Sequence, residues 1–148
     1  MKSTPQQKYG FTLLEILLVV ALLTTLAGIS LPISLVFLQK STLEAATQST
    51  VQSLRKAQVF ARSSVHDMSW GVYAENGHVT LFGGNSYATR NTTYDEVLPL
   101  ANSISVSGQQ ETIFIKSSGD PQNAGTLVFQ TLHDTVSITI AAKGVVSY

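Results

Sequence analysis

Along the chain the spacing of apolar positions changes twice, and each change predicts a different element. From Phe11 to Leu38 the apolar residues are nearly continuous, and Glu15 is the only ionisable side chain among them. A helix of about 20 apolar residues already crosses a bilayer, so residues 11–38 predict one membrane-inserted helix. Beyond Leu38 the apolar residues thin to helical spacing, through Leu43, Val51, Leu54, Ala57 or Gln58, and Ala61. Lys40, Glu44, Arg55, Lys56 and Arg62 mostly take other faces. One helix is therefore expected to run on through residues 39–64 as an amphipathic continuation, and its apolar face must lie on sequence further along. Pro32 removes a backbone hydrogen bond and crowds the preceding turn, which predicts a helix kink or local melting around residues 28–32.

From residue 65 the period becomes two. "WGVYAENGHVTLFGG" alternates about Asn76-Gly77, the strongest short hairpin signal, with Val72 and Ala74 before the turn and Val79 and Leu81 after it. "NSYATRNTTYDEVLPLANS" reads as a long irregular connection in which "EVLPL" is a short edge piece, because Pro99 cannot join a central ladder. "ISVSG", "TIFIKSSG", "GTLVFQTL" and "TVSITIAAKGVVSY" are β-branched strands separated by turn signals such as Gly119-Asp120-Pro121 and His133-Asp134. The expected class is α+β: a long N-terminal α-helix, transmembrane in its first half, packed against a C-terminal antiparallel β-sheet or small β-sandwich head over residues 65–148.

Composition narrows the chemistry. The 148 residues suit one domain, and the absence of cysteine removes disulfides, thiolate metal sites and cysteine nucleophiles together. The formal charge is zero, and once Lys2 and Lys8 are set aside the part beyond Gly10 carries seven basic against nine acidic residues. That balance does not mark a nucleic-acid or anionic-membrane binder. The apolar run is too long for a secretory signal. A plain anchor fits its length, with Lys2 and Lys8 keeping the N-terminal end in the cytoplasm. Yet a plain anchor has no use for Glu15, since a carboxylate inside a membrane helix costs roughly 2.5–3.5 kcal/mol near the centre and less toward an end. Glu15 asks for a partner.

The tract Gly10-Phe11-Thr12-Leu13-Leu14-Glu15, with basic residues before it and a long apolar helix after it, closely resembles the class III signal of type IV pilins and type II secretion pseudopilins. The resemblance implies that residues 1–10 are a leader and that a membrane prepilin peptidase cuts between Gly10 and Phe11. It also implies N-methylation of Phe11 and an assembly role for Glu15, whose carboxylate would neutralise the new amine of a neighbouring subunit. Physically, glycine admits the peptidase to the backbone, and two charges that are each costly in lipid become one pair. The implied partners are the peptidase, other pilin or pseudopilin subunits through the N-terminal helix, the inner-membrane assembly platform, and the membrane itself before assembly. The implied location is the cytoplasmic membrane, single-pass, with the N-terminus cytoplasmic and the head outside, and afterwards a pilus or pseudopilus. "GDPQNAGTLVF" and "ITIAAKGVVSY" resemble the closing strands of the GspH/FimT group of minor pilins. Without cysteine the disulfide-closed loop of many major pilins has no counterpart, which favours a minor subunit at the tip or in priming assembly.

Within the head, His66, His78 and His133 lack ligand spacing and read as surface or turn residues. Gly83-Gly84 lacks the lysine and helix of a phosphate cradle, and Asp120 with Asn123 falls short of the six to eight oxygens calcium takes. Asn91-Thr92-Thr93 matches a glycosylation sequon by its letters alone, Trp70 and Tyr73 read as packing residues, and Arg55, Lys56 and Arg62 as a solvated helix face. No catalytic constellation, cofactor motif or metal motif is present, so the chain reads as no enzyme but a substrate of its peptidase. The alternative is a FimT-like receptor for DNA in natural transformation. Those relatives carry a basic Gly-Arg-x-Arg stretch, where this chain has Gly144-Val145-Val146-Ser147 with only Lys143 beside it. Phosphate binding scales with the number of Lys and Arg, which disfavours DNA.

Overall fold

The computed structural model describes residues 10–148, and the side chains of residues 29–37 lie outside the description. Among the described residues one α-helix, α1 (Leu13–Arg62), is followed by eight strands and two short 3₁₀ turns, at Val65–Asp67 and Tyr87–Thr89. The strands are β1 (Trp70–Glu75), β2 (His78–Gly83), β3 (Asn91–Pro99), β4 (Ser105–Gly108), β5 (Glu111–Phe114), β6 (Gly125–Gln130), β7 (Thr135–Ile140) and β8 (Val146–Ser147). The chain divides into two units, Met1–Phe37 and Leu38–Tyr148. The kink expected at Pro32 falls among the residues whose side chains lie outside the description.

In the first unit, residues 10–28 are exposed on every side of the helix. Among the described residues no helix is long and apolar enough to cross a membrane. The described apolar stretch stops at Gly28, so the transmembrane reading of residues 11–38 rests on the sequence.

In the second unit, α1 buries a stripe made of Leu43, Thr47, Thr50, Val51, Ser53, Leu54, Ala57 and Ala61. This is the face expected from the spacing, with Ala57 rather than Gln58 at the buried position. The stripe also contains polar residues that spacing did not single out. They tolerate burial because each hydroxyl bonds back within the helix: Thr47 to the Leu43 carbonyl (2.8 Å), Thr50 to Ala46 (2.8 Å) and Ser53 to Ser49 (3.1 Å).

The strands form two four-stranded antiparallel sheets, ordered β3-β2-β1-β5 and β4-β6-β7-β8. The first turns Trp70, Val72, Ala74, Val79, Leu81 and Phe114 inward, and the second contributes Val106, Leu127, Phe129, Ile138, Ile140 and Val146. With the α1 stripe these make one core. On its other face the first sheet buries Thr80, Phe82 and Ile113, which the alternation from β1 leaves outside that core.

The Asn76-Gly77 hairpin forms as expected, with Glu75 opposite His78 and Gly77 at φ 98°. Asn76 itself does not take positive φ, so the turn is not the type I′ form usual for Asn-Gly. Its side chain is used elsewhere: Asn76 Oδ1 accepts a 2.7 Å bond from the Val106 N–H, joining the tip of one sheet to β4 of the other. Opposite, Gly108 at φ 82° allows β4 to approach β6, for a Cβ there would lie 2.3 Å from the Thr126 carbonyl oxygen. The C-terminal end of α1 is closed by a distant segment, the Ser117 N–H donating to the Ala61 carbonyl (2.8 Å) and Gln58 Nε2 to the Gly119 carbonyl (3.1 Å).

One expectation is corrected. The stretch read as a long irregular connection contains the nine-residue strand β3, and only residues 84–90 connect it to β2. Thr92, Thr93, Tyr94 and Val97 supply the β preference that the polar composition concealed. The edge reading of "EVLPL" holds: β3 is an edge strand, and Pro99 is its last residue.

Replacing Asn76 by alanine strips the acceptor from the Val106 N–H, and the expected loss is about 1–2 kcal/mol of stability. Denaturant unfolding of the full chain in micelles measures it, with Asn102→Ala, an exposed neighbour, expected to leave the midpoint unchanged. Equal midpoints for the two variants would remove this bond from the account of how the sheets are joined.

Candidate processing and assembly site at the N-terminus

The predicted site residues Gly10, Phe11 and Glu15 lie together where the chain enters α1. Gly10 and Phe11 precede the helix, Phe11 is 79% exposed, and a Cβ built on Gly10 would meet nothing within 4 Å. The Gly10-Phe11 peptide bond is thus outside regular structure and sterically open. The helix itself begins two residues after that bond, at Leu13.

Thr12 starts that helix. Its Oγ1 accepts from the Glu15 N–H (3.2 Å), and its carbonyl accepts the first helical bond from the Ile16 N–H (3.2 Å). Thr12-Leu13-Leu14-Glu15 thereby carries the sequence of a capping box, with Thr12 at the N-cap and Glu15 at the third helical position. The Thr-x-x-Glu spacing thus places Glu15 in the first turn for a local reason as well as for its charge. A carboxylate in the first turn is also favoured by the partial positive charge of the helix start. Among the described residues no cation pairs with it.

Beside Glu15 the helix surface is apolar. Leu13, Ile16, Leu17, Val20 and Ala21, spaced three and four apart, line a shallow groove along one side. Thr24 and Thr25 do not break this surface, since their hydroxyls return to the carbonyls of Val20, Ala21 and Leu22 within 3.0 Å. The arrangement can do two things: present a peptide bond for cleavage, and carry one carboxylate at the mouth of an apolar face.

Residues 6–31 match the family described as the prokaryotic N-terminal methylation motif. That match spans Gly10, Phe11 and Glu15, and it supports a class III prepilin leader, type IV pilin-like, on a precursor processed by prepilin peptidase. Comparison with curated proteins and with solved structures gave no significant match.

The other residues singled out from the sequence do not converge. His66 stacks on Tyr94 (4.3 Å), His78 meets Glu75 (3.0 Å), and His133 is exposed between β6 and β7. Among the described residues no three His, Cys, Asp or Glu gather as metal ligands. Trp70 is buried in the core, edge-on to Phe60 (4.9 Å), and donates to the Val65 carbonyl (3.0 Å). Tyr73 points to the opposite face of the sheet and stacks on Tyr87 (4.0 Å). Arg55, Lys56 and Arg62 are exposed, though Lys56 pairs with Glu96 and Arg62 Nε donates to the Ser118 carbonyl (3.3 Å). No pattern along the chain marked Arg90. It bonds Asp95 (2.8 Å) and the Tyr87 carbonyl (2.7 Å) and lies 3.7 Å from the centre of the Tyr87 ring. The bond to Asp95 raises its pKa above the ordinary value, against the lowering effect of burial.

Thr12→Val keeps the shape of the side chain and deletes the cap, which should cost about 1 kcal/mol at the helix start. The measurement is amide hydrogen exchange of the full chain in micelles: exchange at Glu15 is expected to accelerate in Thr12→Val and to stay slow in Thr12→Ser. Unchanged exchange in both would mean that the cap does not hold the first turn.

Proposed function

We propose that this chain is a minor pilin or pseudopilin, a structural subunit that prepilin peptidase processes between Gly10 and Phe11 and that assembles into a type IV pilus or type II secretion pseudopilus. The observation that carries the reading is the methylation-motif match over residues 6–31 on a helix whose described apolar surface is exposed over residues 13–28, with Glu15 the only ionisable side chain from Phe11 to Leu38. Residues 11–38 hold the subunit in the cytoplasmic membrane with its head outside until it assembles. Such a surface leaves lipid only for another apolar surface, and helices of the same kind on sister subunits provide one.

Glu15 supplies the register. Cleavage creates an ammonium at Phe11, and pairing it with the Glu15 carboxylate of a neighbour removes two isolated charges from an apolar bundle. The missing cysteines and the closing strands support placement in the GspH/FimT-like minor class, at the tip or in priming assembly. The DNA-receptor alternative has little support: the tail folds into β8 with Val146 buried, and Lys143 is its only basic residue.

Two substitutions test the reading by intact mass and N-terminal sequencing of membrane and sheared-filament fractions. The wild-type chain is expected to begin at a methylated Phe11, whereas Gly10→Arg retains Met1 and stays out of filaments. Glu15→Ala is expected to be cleaved normally yet reduced about tenfold or more in the filament fraction, the scale of one lost charge pair. A wild-type chain still beginning at Met1 would defeat the proposal, and normal assembly of Glu15→Ala would defeat the pairing.

A further inference from the structure

The outer face of the first sheet carries a second feature, remote in sequence from the N-terminal site. At the free edge of β5 is an open cleft of about 490 Å³. Its size lies within the range of small-molecule sites, roughly 300–1,000 Å³. Asn85 and Ser86 from the connection after β2 form one wall, and Gln122 and Asn123 from the segment before β6 form another. Gln109 and Glu111 lie between them, with Ile113 as the apolar floor. The lining therefore holds four carboxamides, one hydroxyl and one carboxylate, and neither lysine nor arginine.

Several of these groups are fixed in place. Gln109 Nε2 donates to the carbonyls of Glu111 (3.2 Å) and Asn123 (3.1 Å), tying the edge strand to the far wall. Gly125 makes room for it, since a Cβ there would stand 1.6 Å from Gln109 Oε1. Glu111 Oε1 accepts from the Tyr87 N–H (2.6 Å), which anchors the connection of residues 84–90 against β5. The same connection is braced from the other side, where Tyr87 is sandwiched between the Tyr73 ring and the Arg90 guanidinium.

By contrast, the side chains of Asn85, Gln122 and Asn123 are exposed and make no hydrogen bond among the described residues. Alternation along β5 turns the backbone of Glu111 and Ile113 away from β1, and the Ile113 carbonyl bonds the Gln122 N–H (2.8 Å). The N–H groups of Glu111 and Ile113 point to that same side, with no acceptor among the described residues. The cleft thus combines free donors, free amides and one partly used carboxylate over an aliphatic floor.

We infer that this cleft binds a neutral polyhydroxylated ligand, a saccharide. Each sugar hydroxyl is both donor and acceptor, and a carboxamide offers both in fixed geometry, while a carboxylate accepts from two adjacent hydroxyls. Ile113 suits the C–H face of a sugar ring. Anions are disfavoured because no cation lines the cleft. Calcium affinity depends on ligand charge, and the single carboxylate here, Glu111, already accepts from the Tyr87 N–H. The inference does not depend on whether the chain enters a filament.

The test is a ¹H–¹⁵N titration of the full chain in zwitterionic micelles without sugar headgroups, with glucose, galactose and N-acetylglucosamine added separately to about 50 mM, the range of weak sugar sites. Saturable shifts are expected at the amides of Glu111, Ile113 and Asn123 for at least one sugar. The double variant Asn85→Ala, Gln122→Ala alters only exposed side chains, and it is expected to weaken that binding about tenfold while leaving core resonances in place. Absence of saturable shifts with all three sugars overturns the inference, as does undiminished binding by the double variant. Saturable shifts at the same amides with calcium chloride or sodium phosphate alone, and none with sugar, would make it an ion site and overturn it equally.

Discussion

The stripe of α1 formed by Leu43, Val51, Leu54, Ala57 and Ala61 is the surface on which both sheets meet, and the rest of the head is arranged around its burial. Neither four-stranded sheet has a second layer of its own on the inner side. Each buries its apolar face only because the helix and the other sheet complete the core. Burying a leucine such as Leu43 or Leu54 stabilises the fold by about 1.5–3 kcal/mol, and Ala57 and Ala61 add little area but let the strands come close. The polar threonines of the stripe cost little because each hydroxyl is satisfied within the helix.

The same helix obeys a different rule before Leu38. There its described apolar side chains are exposed all round, a surface far larger than soluble proteins leave uncovered. Such a surface is stable only in lipid or against other helices. Glu15 is the one position where either environment must answer a charge, and the Thr12 cap places it at the helix start, where the chain's own dipole already favours it. Capping and pairing are compatible, because the cap uses the Thr12 side chain and the Glu15 backbone and leaves the Glu15 carboxylate free.

The outer face of the first sheet is covered in part by the connection that follows β2. The bracing of residues 84–90 by Tyr73, Tyr87, Arg90 and Asp95 covers Phe82, and its far end forms one wall of the cleft beside β5. The polar chemistry of the chain thus falls in two unlike places: a capped helix start bearing one carboxylate, and a cleft lined by amides with a single carboxylate.

The sequence by itself determined the elements whose cause is local. Continuous apolarity, the helical spacing of residues 43–61, the Asn76-Gly77 turn, Pro99 at a strand end and the Gly10-to-Glu15 tract all act through neighbours within a few positions. Even the cap at Thr12 was legible in four residues. Residues 91–95 were not: apart from Asn91 opposite Gly83 they lie in a register shift of the β2–β3 ladder, and a polar, bulged stretch of an edge strand looks like a loop. Only the tertiary structure decided which strands joined which sheet, that β4 pairs with β6 rather than with its neighbour β5, and that Asn76 binds Val106. The same holds for the cleft, whose walls come from three separate segments. Those outcomes depend on contacts between residues tens of positions apart, and a one-dimensional pattern carries no record of which distant backbone groups will need one another.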